Sequence, residues 1–179
     1  MVTIIFEAHA TTLDNENHLS SGHYDVELSP LCKKQAEELC ERYANDDFAA
    51  VFCSDLRRAY ETAQIAFLDR DIPIIKDARL RECDYGELTR YPAREVEEKR
   101  SGFIDTPFPK GESYQQCVDR MKSFLQDLLV NYDGKKVLII GHRATQYGLE
   151  HWTNNLPLQK IVSAPWAWQP GWTYRLEKI

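Results

Sequence analysis

The sequence lacks any run of about 18 consecutive apolar residues, which excludes a membrane-spanning helix. Its start, MVTIIFEAHATT, has no basic residues and an apolar run only a strand long, so it does not read as a secretion signal. Positive charge is scarce: 22 Lys and Arg stand against 28 Asp and Glu, for a net charge of −6. Such a chain has no general attraction for nucleic acid or an anionic membrane, and any anion site must be local. Local basic pockets in an acidic protein suit a small phosphorylated ligand. The five cysteines (Cys32, Cys40, Cys53, Cys83 and Cys117) are odd in number, widely spaced and without a Cys-x-x-Cys pair. Neither a disulfide framework nor a structural zinc site is expected, and reduced thiols point to the cytoplasm. No internal repeat, low-complexity tract or second domain is visible, and 179 residues suffice for one domain with a full core.

What is present is an alternation of strand-like and helix-like segments. Thr3–Phe6 is a short apolar, β-branched run, read as a buried strand. Ser29-Pro30 offers an N-cap and a first-turn proline for a helix whose apolar face runs through Leu31, Ala36, Leu39 and Tyr43. Ala49–Cys53 reads as a second strand, residues from about Leu56 to Phe67 as a helix, and Ile72–Ile75 as a third, shorter strand. The clearest helix begins at Ser113, which forms a capping box with Gln116. Asp133-Gly134 closes a turn into the apolar strand Val137–Ile140, and a helix is expected from Gly141 to about Trp152. Thr173–Leu176 is an edge-strand candidate. This order implies an α/β protein, a three-layer α/β/α sandwich on a mostly parallel sheet. The polar stretch from Asp77 to Gly111, with Pro92, Pro107 and Pro109, is an excursion over one end of the sheet.

Ligands of open α/β sheets bind at the carboxyl ends of the strands. Strand one runs into Ala8-His9-Ala10-Thr11-Thr12, strand two into Ser54-Asp55-Leu56-Arg57-Arg58, and Val137–Ile140 into Gly141-His142-Arg143. One edge thereby gathers two histidines, arginine and several hydroxyls, with Glu82 at the start of the excursion. These residues carry a resemblance to the histidine phosphatase superfamily, the phosphoglycerate-mutase-like proteins. Ala8-His9-Ala10 with Thr12 and Asn15 stands where the family has Arg-His-Gly, then Thr and Asn. Ser54–Ala59 with Thr62-Ala63, Leu80-Arg81-Glu82, Pro109–Ser113 and Val137–His142 match further motifs, in order along nearly the whole chain.

The resemblance implies a phosphomonoesterase acting on a small phosphorylated metabolite. His9 would be the nucleophile forming a phosphohistidine, and Glu82 the general acid and base. Arg58 and His142 match the family's phosphate donors, and Asn15 and Thr12 occupy positions that line the same pocket. No metal and no cofactor is implied. The family's arginine before the nucleophile is Ala8 here, and losing such a clamp costs about 3 kcal/mol, or a factor of about 10²–10³ in rate. Arg143, after His142, is suited to reach back and replace it. The alternative is that Arg143 faces solvent or pairs with Asp84 or Glu150. Ala8 also keeps open a non-catalytic phospholigand-binding or regulatory homologue, and the family includes mutase-type phosphoryl transferases. Mutases usually have longer chains, which favours hydrolysis.

Blander readings cover the rest. Asp84 and Glu87 rival Glu82 as the acid, and Arg57 reads as a solvated helix residue. His23 reads as a polar loop residue, and His18 and His151 as surface residues. Cys53 and Cys83 read as small buried groups. The run Arg94–Arg100 reads as a solvated helix face. The tail Pro165–Trp172 is expected to pack against the sheet in preference to walling a pocket.

Overall fold

A computed structural model describes residues 1–179. The first strand, β1 (Val2–Ala8), is followed by a four-residue helix α1 (Leu13–Glu16) and by α2 (Cys32–Arg42). Strand β2 (Val51–Cys53), α3 (Arg57–Phe67) and β3 (Ile74–Lys76) come next, then α4 (Ala93–Lys99) and the long α5 (Tyr114–Asn131). Strand β4 (Lys136–Gly141), α6 (Arg143–Asn154), α7 (Leu158–Ser163) and β5 (Trp172–Leu176) complete the chain. The sheet order is β3-β2-β4-β1-β5, parallel except for β5, which runs antiparallel to β1 at the edge.

Alternation along the strands builds the layers, since neighbouring residues of a strand point to opposite faces. Ile4, Phe6, Phe52, Val137 and Ile139 meet Met121, Phe124, Leu125 and Leu128 of α5 on one face. Ile5, Val51, Leu138 and Ile140 meet Ala36 and Leu39 of α2 and Ala59, Ala63 and Phe67 of α3 on the other. Both faces of β4 are buried, as its unbroken apolar run requires.

Helix α5 starts where its capping box places it: Ser113 Oγ accepts from the Gln116 amide, and Gln116 Oε1 from the Ser113 amide. The start of α2 differs from expectation. The helix begins at Cys32 with no side-chain cap, because Ser29 closes a turn one step earlier, its carbonyl taking the Cys32 amide and its Oγ the Leu31 amide. Helices α1 and α7 were not foreseen; four and six residues are too short to show a period.

The excursion after β3 is packed and not loose. Cys83, Tyr85, Val96, Ile104 and Phe108 form a third apolar cluster with Tyr114, Tyr147 and Leu158. Gly86, at φ +51°, and Gly111 let two stretches of backbone touch: a Cβ on Gly86 would lie 2.1 Å from the Pro109 carbonyl, and one on Gly111 2.2 Å from that of Asp84. That contact fixes the loop carrying Glu82. Arg100 departs from the solvated-face reading. It is buried, donating to Glu97 at 2.9 Å and to the Ala164 carbonyl at 2.7 Å.

Candidate active site

Parallel pairing of β1 with β4, ending at Ala8 opposite Gly141, brings His9 and His142 to the same sheet edge. Their ring centroids lie 5.1 Å apart. The loop after β1 is fixed through its backbone: the His9 amide donates to the Gly141 carbonyl, that of Ala10 to Thr62 Oγ1 and that of Thr11 to Gln35 Oε1. His9 Nδ1 lies 2.7 Å from the Ala10 carbonyl. A carbonyl only accepts, so Nδ1 carries the hydrogen and Nε2 keeps the free lone pair. Burial, reinforced by the Arg58 charge and opposed by the Ala10 carbonyl, pushes the His9 pKa down to about 3. His142 is held well below the ordinary histidine range by burial and then by Arg58 and His9. Both rings are therefore neutral near pH 7. His142 Nε2 shares a 2.6 Å hydrogen bond with Ser54 Oγ, and its Nδ1 is buried without a partner.

Glu82 is tied to the start of α6. Its Oε1 accepts from the amides of Cys83 and Ala144, and its Oε2 from that of Arg143 at 3.2 Å. Asp84 caps the Gly86 turn, and Glu87 pairs with Lys110. Neither rival lines the cavity of about 590 Å³ that His9, His142 and Glu82 share with Ala8, Asn15 and Arg143.

Arg58 lies behind this cavity, buried, donating to the carbonyls of Gly22 at 2.7 Å and Tyr24 at 3.0 Å. Each terminal nitrogen of a guanidinium carries a second N–H. Thr12 is corrected from a pocket residue to a cap. Fully buried, its hydroxyl donates to Asn15 Oδ1 and accepts from the Asn15 amide, so it positions Asn15. Arg143 pairs with neither Asp84 nor Glu150. Its guanidinium sits 3.3 Å from Glu97 of α4, which faces the first turn of α6. His23 donates from Nε2 to the Glu82 carbonyl. Cys83, Cys117 and Glu112 bring ligand atoms within 4.8 Å of one another, but Arg120 Nη2 stands 3.2 Å from Glu112. A cation there would compete with a guanidinium already in place.

Several cavity residues were missed from the sequence. Glu7 is buried, paired with Arg42 and accepting from the Tyr43 hydroxyl, both at 2.7 Å. Burial raises its pKa, against the pull of Tyr43 and Arg42. A signal existed: Glu7 is the one charged residue of β1 and, at strand period, points to the same face as His9. The tail divides between its two readings. Trp172 packs against Phe6, with ring centroids 5.6 Å apart, whereas Trp166 and Trp168 line the cavity.

Residues 4–169 match the histidine phosphatase superfamily (branch 1). The chain is 28% identical over 149 residues to the uncharacterized phosphatase PhoE of Bacillus subtilis, covering 83% of this chain and 76% of that one. It is 27% identical over 201 residues to the 2,3-bisphosphoglycerate-dependent phosphoglycerate mutase 1 of Arabidopsis thaliana, covering 89% of this chain and 60% of that one. The solved structure of Bacillus stearothermophilus YhfR superimposes with a TM-score of 0.81 at 25% identity, over 95% of this chain and 88% of that one. A parallel sheet ending in two facing histidines and a match over nearly every residue lead to one assignment: the chain belongs to the histidine phosphatase superfamily.

Proposed function

We propose that the protein is a phosphomonoesterase that hydrolyses a small phosphorylated metabolite through a phosphohistidine on His9. The observation that carries this reading is the tautomer of His9: Nδ1 is tied to the Ala10 carbonyl, leaving a neutral ring with Nε2 free in the cavity that also holds Glu82 and His142. A neutral imidazole is an effective nucleophile near pH 7. Nε2 attacks phosphorus, the ester P–O bond breaks, and Glu82 gives its proton to the departing alkoxide. Water then attacks phosphorus while the Glu82 carboxylate takes its proton, the P–N bond breaks and inorganic phosphate leaves, which returns both groups to their starting states.

His142, Asn15 and Arg143, which line the cavity, hold the phosphoryl oxygens in this reading, and Arg58 adds its positive charge from behind them. Thr12 acts through Asn15. Arg143 stands in for the arginine missing at Ala8: it lines the same cavity, and its own amide binds Glu82. Its guanidinium leaves Glu97 when a doubly negative phosphoryl group offers it two oxygens.

Ala8 itself favours one second reading, a phospholigand-binding homologue without turnover, because it leaves an uncharged surface in the cavity. Incubation with a radiolabelled aryl phosphate, followed by rapid denaturation, separates the two. Acid-labile label on the wild type, absent from His9→Ala together with a loss of turnover of about 10⁴-fold or more, supports the phosphatase. Unlabelled protein that still binds inorganic phosphate supports the binding homologue.

A further inference from the structure

Between α7 and β5 the segment Ala164-Pro165-Trp166-Ala167-Trp168-Gln169-Pro170-Gly171 runs along the cavity. It is fastened at three points. Arg100 donates to the Ala164 carbonyl at 2.7 Å. Trp166 Nε1 donates to Gln146 Oε1 at 2.7 Å, and its ring stacks 6.1 Å from that of Trp172. Gly171, at φ +72°, lies so close to Tyr43 that a Cβ would stand 2.5 Å from its hydroxyl oxygen. Prolines at 165 and 170 remove further freedom. A segment held in this way is a wall and not a fraying end.

Yet Trp166 is 38% and Trp168 56% exposed, and both line the cavity. Large aromatic side chains gain most from leaving water, so two kept open at a cavity mark a surface reserved for a ligand. The Arg42 guanidinium lies 5.8 Å from the Trp168 ring and that of Arg143 5.9 Å from the Trp166 ring. Some of the polar groups around the wall already have partners. Arg42 is bound to Glu7, Arg143 to Glu97, the Trp166 N–H to Gln146, and Gln35 to both the amide and the hydroxyl of Thr11.

We propose that this wall is the leaving-group subsite and takes a flat, unsaturated ring, aromatic or heterocyclic, on the alcohol side of the phosphate ester. The ring stacks on Trp168 with Trp166 beside it. A flat ring brings a whole face to van der Waals distance of an indole, which a puckered ring of similar volume does not. The proposal rests on the phosphatase reading for the location of the phosphoryl group.

The test compares benzyl phosphate with cyclohexylmethyl phosphate, both esters of primary alcohols with similar need for a leaving-group proton. In wild type, benzyl phosphate is expected to have about three- to tenfold higher kcat/KM, carried by KM. Trp168→Leu should bring the two esters level, and Trp168→Phe should keep most of the preference. The same pair as phosphonates, which cannot be hydrolysed, is measured by calorimetry. Equal affinities in wild type, or a preference undiminished in Trp168→Leu, would overturn the ring subsite. Absence of hydrolysis of either ester while benzylphosphonate keeps its advantage would sink the phosphatase reading and leave the subsite standing.

Discussion

The two sides of the cavity are built in contrasting ways. At the floor, His9 and Glu82 are held by backbone groups, the Ala10 and Gly141 carbonyls for the one and the amides of Cys83, Arg143 and Ala144 for the other, while His142 leans on the Ser54 hydroxyl. Along the rim, Arg42, Arg143, Trp166 and Trp168 are held by other side chains, through Glu7, Glu97, Gln146 and the ring stack on Trp172. Backbone groups of a parallel sheet move little, so the floor keeps reacting atoms in register. Side-chain pairs exchange partners more readily, and a rim made of them adapts to what the floor must act on. Under the proposed function, chemistry and selectivity rest on different kinds of bond.

That contrast breaks most sharply at Glu82. Glu82→Gln keeps one acceptor oxygen, enough for the Cys83 and Ala144 amides but not for that of Arg143, and removes the proposed proton donor. Turnover of an alkyl phosphate should fall by about 10²–10⁴-fold, and that of an aryl phosphate, whose leaving group needs no proton, by far less. Equal losses on both would take Glu82 out of the acid's role.

A smaller effect is expected at Arg143, which belongs to the rim in this structure and, under the proposed function, to the floor when phosphate binds. Arg143→Ala should lower kcat/KM by about 10²-fold if the guanidinium holds the phosphoryl group. Glu97→Gln, which removes only its resting partner, should leave kcat/KM within about threefold of wild type. Near-normal rates in Arg143→Ala would confine that residue to the rim.

The smallest effect concerns stability. His9 falls from 6.5 to about 3, so the folded protein binds fewer protons than the unfolded chain below pH 6.5. Its contribution is complete above about 6.5 and is lost as the pH falls toward about 3. His142 acts in the same sense. Glu7, with a raised carboxyl pKa, acts in the opposite sense. Stability from denaturant titrations should fall for wild type between about pH 7.5 and about pH 5, with about 2 kcal/mol of the fall due to His9, and fall less for His9→Asn. Parallel slopes for the two proteins would exclude His9 as a buried neutral base.

Much of the floor was legible before the fold was known. The apolar run of β4 ends at Gly141-His142 and that of β1 just before His9, and both strands pack against helices with a clear apolar period. Thr12 was legible as a residue but not in its role, because a threonine before Asn15 serves equally as a cap or as a pocket hydroxyl until its partner is seen. The rim was scarcely legible. Glu7 and Arg42 are 35 residues apart, and Arg143 and Glu97 are 46 apart. Such pairs leave no local pattern.

The sequence alone therefore determined the strand–helix alternation, the capping box of α5 and the gathering of His9 and His142 at one sheet edge, while Glu82 was joined to them only through the family resemblance. The first three follow from period, cap chemistry or the direction of a parallel strand, which are properties of neighbouring residues. Only the tertiary structure decided that Arg143 rests on Glu97, that Thr12 serves Asn15, and that Trp166 and Trp168 face the cavity while Trp172 joins the core. These choices depend on which distant side chain arrives first at hydrogen-bonding or stacking distance, and three tryptophans within seven residues look alike until a sheet edge divides them.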